Sequence, residues 1–149
     1  MKKLLSLILL LLVFPSASFS ENYKFQKLVT LKNPWGSSFI NNNELIVTEK
    51  SGKIKVVNIN SKKVSEIEHN LNFLEHGQGG LLDIFYKDNL IWISYTENRG
   101  NLKTSTSIAK AILNKKELKF KNIFQAEPPI DSGYHFGSRL AIKGDYLYA

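Results

Sequence analysis

From Glu44 onward apolar and polar residues alternate along this chain with the period of a half-buried strand, and no stretch carries a capped helical stripe. Residues 44–50 read as a short strand, Ser51-Gly52 as a turn, and residues 53–59 as a second strand, together a hairpin. Residues 81–86 and 90–95 make a second pair around Lys87-Asp88-Asn89. Residues 104–113 and 118–124 make a third around Asn114-Lys115-Lys116. The pattern predicts an all-β chain.

The strands also repeat. Gly36-Ser37-Ser38-Phe39 leads through Asn41-Asn42-Asn43 to Leu45-Ile46-Val47, and Gly80-Leu81-Leu82 leads through Asp88-Asn89 to Leu90-Ile91-Trp92-Ile93. Gly137-Ser138-Arg139-Leu140 leads through Gly144-Asp145 to Leu147-Tyr148. The repeat starts lie 44 and 57 residues apart. A period of about 40 to 50 residues with short strands is the mark of propeller blades, and the restarting glycine favours this over a sandwich. A propeller needs at least about four blades to protect its strand edges. Two blades and a fraction are therefore expected to be the N-terminal part of something longer, unless several chains share one ring.

The first twenty residues follow a different pattern. Lys2 and Lys3 precede an apolar run at residues 4–14, Pro15 breaks it, and Ser18 and Ser20 occupy the −3 and −1 positions of a cut before Glu21. This is the layout of a secretion signal, and a run of eleven residues, all apolar but Ser6, is too short for a membrane span, which takes about 20. The expected mature domain is residues 21–149, placed in the periplasm or outside the cell, with no membrane span after cleavage. The absence of cysteine excludes disulfides and lipid attachment at a processed Cys.

Charge changes the picture little. Loss of Lys2 and Lys3 takes the net charge from +7 to +5, and the basic residues are eighteen lysines with only Arg99 and Arg139. Scattered lysines among Asp, Glu and Asn read as a solvated surface, not as a nucleic-acid face, which clusters its charge and favours the arginine fork.

Two stretches are unusual for plain strands. In residues 75–83 three glycines surround Gln78, so that backbone and one amide can approach a partner closely. In residues 131–139 His135 and Arg139 sit among glycines just before an inner strand. In a propeller such loops gather at the central channel, so Gln78 and His135 are expected to face one site. Plainer readings stand beside this one. A loop His often only bonds its surroundings, and Gln78 could hold a loop backbone. A zinc site from His76 and His135 lacks a third ligand at metal-like spacing. His69 reads as solvated, and Trp35 and Trp92 as core.

At these residues the chain resembles the soluble sugar dehydrogenases that depend on pyrroloquinoline quinone (PQQ), most closely their aldose sugar dehydrogenase branch. Asn33-Pro34-Trp35-Gly36 with Phe39 is similar to that branch's opening strand, and residues 45–54 to its Leu-Val-Thr-Glu-Arg hairpin. Gly77-Gln78-Gly79-Gly80-Leu81-Leu82-Asp83 and His135-Phe136-Gly137-Ser138-Arg139 are similar to two further blocks. The four lie in register over residues 28–149. The resemblance implies a six-bladed β-propeller, of which this chain would hold the first two to three blades, with PQQ and calcium in the channel. It implies oxidation of the C1 hydroxyl of aldose sugars to lactones, with electrons passed on to an acceptor of the respiratory chain. His135 would be the general base, and Gln78 would bond the substrate. Tyr134 stands where the glucose-oxidising branch has Asp, which suits a broader aldose preference. The PQQ contacts, the calcium ligands and the acid that orients the base are expected beyond Ala149, so the isolated chain is expected to be inactive. The alternative is a propeller that has lost its chemistry and serves as an extracellular binding module.

Overall fold

A computed structural model describes residues 23–137 and 139–149; the expected export signal and Ser138 lie outside the described residues. The described residues form eleven strands and no helix: β1 (Pro34–Asn41), β2 (Glu44–Glu49), β3 (Lys53–Asn58), β4 (Val64–His69), β5 (Leu81–Lys87), β6 (Leu90–Asn98), β7 (Thr104–Ile112), β8 (Glu117–Leu118), β9 (Lys121–Gln125), β10 (Ala141–Lys143) and β11 (Tyr146–Tyr148). They fall into an antiparallel sheet β1-β2-β3-β4, a second sheet β5-β6-β7-β9, and the hairpin β10-β11. The all-β, bladed architecture expected from the repeat is thus present as two four-stranded blades and the start of a third.

The first two hairpins form as the alternation requires. Their second turn narrows to Asp88 and Asn89, whose φ values of 50° and 64° suit a two-residue hairpin loop. The third pairing differs from expectation. β7 pairs with β9, and residues 117–118 leave the second blade as β8 to add in parallel to the end of β4. Asn70 extends that junction with its side chain: Oδ1 accepts from the Phe120 N–H at 2.8 Å, and Nδ2 donates to the Phe120 carbonyl at 3.2 Å. Leu118 and Phe120 become buried, and the outer edge of the first blade is covered. The sequence reading did not foresee β8 because only the tertiary contact gives so short a strand its pairing.

The blades stack through an apolar interface. Ile46, Ile54, Val56 and Ile67 of the first meet Ile84, Ile91, Ile93, Tyr95, Ala109 and Ala111 of the second in one buried cluster. Each isoleucine so enclosed contributes about 2 kcal/mol of transfer free energy. At the inner strands the approach is closer still. A Cβ on Gly36 would come within 2.7 Å of the Asp83 Cα, so only glycine lets β1 lie against β5 there.

Two single-residue expectations are corrected. His69 is not solvated: its Nε2 lies 2.8 Å from the Gly52 carbonyl and its Nδ1 accepts from the Leu71 N–H, so the ring ties β4 to the β2–β3 turn. That pair of contacts assigns the proton to Nε2. Trp35 is not core but 43% exposed, whereas Trp92 is half-buried with its ring centroid 6.4 Å from that of Phe85.

Tyr95 gives the blade interface a pH signature. The side chain is 2% exposed, its hydroxyl donates to Asn122 Oδ1 at 2.7 Å, and burial pushes its phenol up to about 12. An unfolded tyrosine ionises near pH 10. The raised folded-state value therefore contributes stability that is complete below pH 10 and is lost as pH rises from there through about 12. Urea midpoints measured from pH 8 upward should fall more steeply above pH 10 in the parent protein than in Tyr95→Phe; parallel curves would contradict this.

Candidate functional site

β5 begins with an irregularity that shapes everything near it. Leu81 pairs with Tyr95 and Ile84 with Ile93, so Leu82 and Asp83 together oppose Ser94 as a bulge. The backbone groups this frees are met by buried hydroxyls. Ser94 Oγ accepts from the Asp83 N–H at 3.0 Å, and Thr96 Oγ1 accepts from the Gly80 N–H at 3.2 Å. Thr48 Oγ1 donates to the Leu82 carbonyl at 2.5 Å and accepts from the Gly36 N–H at 3.0 Å, bridging the first two blades. All three hydroxyl residues are fully buried, as polar groups can be once every bond is made.

The bulge places the Asp83 carboxylate against the third blade. Oδ1 accepts from Arg139 Nη1 at 2.8 Å and Oδ2 accepts from the Leu140 N–H at 2.8 Å. The Asp83 side chain is 7% exposed and that of Arg139 is 77% exposed, so one end of this pair is enclosed and the other faces solvent. The carboxylate thereby fixes the point at which the 131–140 loop enters β10.

The same loop is held again further back. The Gln78 N–H donates to the Gly133 carbonyl at 2.7 Å, and the His135 N–H donates to Gln78 Oε1 at 3.0 Å. Gly77 has a φ of +56°, and a Cβ on it would lie 2.3 Å from the Gly133 carbonyl oxygen, so a side chain there would push the two loops apart. Thr104 Oγ1 donates to the Ser132 carbonyl at 3.3 Å, a further anchor from β7. The structure thus brings together the loops that carry Gln78 and His135, and bonds the backbone of one residue to the side chain of the other.

This bond has a chemical consequence. Because a backbone N–H can only donate, the side-chain oxygen of Gln78 is the atom turned toward His135. The NH₂ group has no protein partner among the described residues and is left to donate to whatever the site holds. His135 adopts a φ of +64°, unusual for a residue with a side chain, and its imidazole is exposed. Among the described residues the ring makes only a tilted contact with Tyr134, 6.4 Å between centroids. The arrangement supplies one base or acid, one amide donor and open access. His76 packs beside Gly133, where its Cδ2 would lie 3.0 Å from a Cβ. Among the described residues, no group of three or more His, Cys, Asp or Glu comes together.

Sequence reasoning named Gln78 and His135 but missed the supporting roles of Asp83, Thr48, Ser94 and Thr96. The available signal was the polar residue inside the otherwise apolar run Leu81-Leu82-Asp83-Ile84.

With this geometry in place, comparisons with known proteins agree on one direction. The model of the family described as Glucose / Sorbosone dehydrogenase matches residues 31–149. Aldose sugar dehydrogenase YliI of Escherichia coli is 29% identical over 128 residues, covering 79% of this chain and 34% of that protein. The solved structure of the soluble aldose sugar dehydrogenase from Escherichia coli in its apo form superposes with a TM-score of 0.72 at 29% identity, covering 78% of this chain and 37% of that one. The PQQ-bound aldose sugar dehydrogenase of Streptomyces coelicolor shares the fold, with a TM-score of 0.69 at 22% identity over 80% of this chain and 38% of that one. The chain spans about a third of the length of the curated relatives it matches.

Replacing Asp83 with Asn keeps the shape but leaves one oxygen for two donors. Where the amide NH₂ faces the buried Leu140 N–H the loss costs about 2 kcal/mol, whereas the solvent-facing Arg139 guanidinium would be hydrated. Asp83→Asn should lower stability by that order in urea denaturation, and limited proteolysis should show earliest cleavage within residues 131–140. Cleavage elsewhere first would show that the carboxylate does not anchor the loop.

Proposed function

This chain belongs to the Glucose / Sorbosone dehydrogenase family, and we propose that the protein it represents is a PQQ-dependent aldose sugar dehydrogenase exported by residues 1–20 to the periplasm or beyond. Its reaction is oxidation of the C1 hydroxyl of an aldose to the lactone, and the electrons leave to a respiratory acceptor. The observation that carries the reading is the bond from the His135 N–H to Gln78 Oε1, which ties the residue with the exposed imidazole to a residue whose amide NH₂ is left to donate.

In this reading the chain's own residues handle the proton and the sugar. His135 accepts the proton of the C1 hydroxyl, a task suited to an imidazole with a free ring nitrogen and open access. The Gln78 NH₂ donates to a sugar oxygen and limits the poses in which C1 faces the base. Tyr134, exposed next to the base, stands where the glucose-oxidising branch has Asp, in keeping with tolerance of several aldoses. PQQ, when bound, supplies the two-electron oxidising power. The described residues do not fit its site. A tricarboxylate calls for several cations, and the two beside these loops, Lys50 and Arg139, are already bonded to the Gly77 carbonyl and to Asp83.

The test is sugar-dependent dye reduction by the full-length protein reconstituted with PQQ and calcium. A series of aldoses should be oxidised, His135→Ala should lower kcat by 10²-fold or more, and Gln78→Ala should raise KM by about tenfold. Full activity in His135→Ala would remove the base assignment. Sugar binding with no oxidation of any aldose would favour the binding-module reading instead.

A further inference from the structure

Lys50 follows the last residue of β2, and neither the sequence pattern nor the chemistry described so far gives it a task. Its side chain leaves the first blade and Nζ donates to the Gly77 carbonyl. Its own carbonyl, at the other end of the residue, accepts from the Leu81 N–H at 3.2 Å. One residue therefore holds the loop of Gln78 on both sides.

The Gly77 carbonyl and the Gln78 N–H belong to a single planar peptide unit. Its oxygen is bonded by Lys50 from the first blade, and its N–H is bonded to the Gly133 carbonyl in the loop that enters the third. A peptide plane fixed at both ends cannot rotate, and the direction in which Gln78 leaves the backbone is set by that plane. Because Gln78 Oε1 in turn receives the His135 N–H, the constraint passes on to the backbone of His135, which sits at a φ of +64°. A bond from a charged donor is the stronger kind. In this exposed loop it supplies rigidity that burial does not.

We propose that Lys50 is a positioning residue: its ammonium locks the Gly77–Gln78 peptide plane and so sets Gln78, and through it His135, in register for substrate. The kinetic part of this inference rests on the sugar-dehydrogenase reading; the structural part does not.

Amide hydrogen exchange on the full-length protein separates the two. In Lys50→Met the amides of Gln78 and His135 should exchange at least tenfold faster, while those of β6 and β7 keep their protection. Lys50→Arg, which retains a charged donor, should restore slow exchange. Unchanged protection of Gln78 and His135 in Lys50→Met overturns the proposal. So does a uniform loss of protection across both blades in Lys50→Met and in the milder Lys50→Gln, which would give Lys50 to the fold at large. With sugar as substrate, Lys50→Met should raise KM about tenfold and change kcat less, with recovery in Lys50→Arg. Loss of local protection without any sugar oxidation in the parent protein would leave the positioning role standing and remove the enzymatic reading alone.

Discussion

A carboxylate enclosed by protein must be matched by donors, because an unpaired buried charge costs far more than a folded domain can spare. Asp83 is such a group, and its donors come from a different blade. Arg139 and the Leu140 N–H reach it only if the third blade starts where it does, and Gly36 reaches it only if the first blade lies flush against β5. One side chain thus ties three blades together at their inner ends. The apolar cluster further out would tolerate sliding by a fraction of a residue, since dispersion is not directional. The charge-assisted bonds at Asp83 would not, and they turn a stack of sheets into a stack with one register.

The bulge at Leu82 and Asp83 is the price of that arrangement, and hydroxyls offset it. An irregular strand leaves carbonyl and N–H groups without ladder partners, and in a dry interface each would cost about 1–3 kcal/mol. Thr48, Ser94 and Thr96 satisfy them, so polar residues stand at positions where a pure strand pattern would put apolar ones. Among the described residues, no buried side-chain nitrogen or oxygen is left without a partner. The inner end of the interface is thus polar and specific, while the outer part is apolar and adhesive.

This division explains what the sequence could disclose. The first hairpin was legible in full, because alternation and Ser51-Gly52 act locally, and Asp88-Asn89 marks the second just as plainly. Gln78 and His135 were legible as a pair because glycine-rich loops before equivalent strands imply one place in a repeating fold. β8 was not, because two residues acquire strand geometry only from the edge of β4. His69 was misjudged because its partner is a backbone carbonyl in a distant turn, a contact no residue type announces. Trp35 was placed in the core by its apolar character alone, yet it flanks the close approach at Gly36 and remains half outside. Asp83 was read as one letter of a motif, since its partners lie 56 and 57 residues away in the chain.

The residues around His135 are exposed although they adjoin a close approach between blades. Gln78, Tyr134 and His135 are exposed, and His135 holds a left-handed conformation that an isolated chain would abandon at a gain of about 1 kcal/mol. Such a loop cannot hold its shape by burial. It is held at its start by Gln78 and Gly133 and at its end by Asp83, and both anchors belong to the second blade, whose own loop is tied to the first. The geometry of the imidazole is therefore a property of how three blades stack, not of the segment that carries it. Any change that loosens the stacking should act on this loop before it acts on the sheets, because its few packed residues, Gly133, Phe136 and Leu140, lean on the second blade. The loop is thus open to solvent around His135, while its end is fixed by the buried bond from the Leu140 N–H to Asp83.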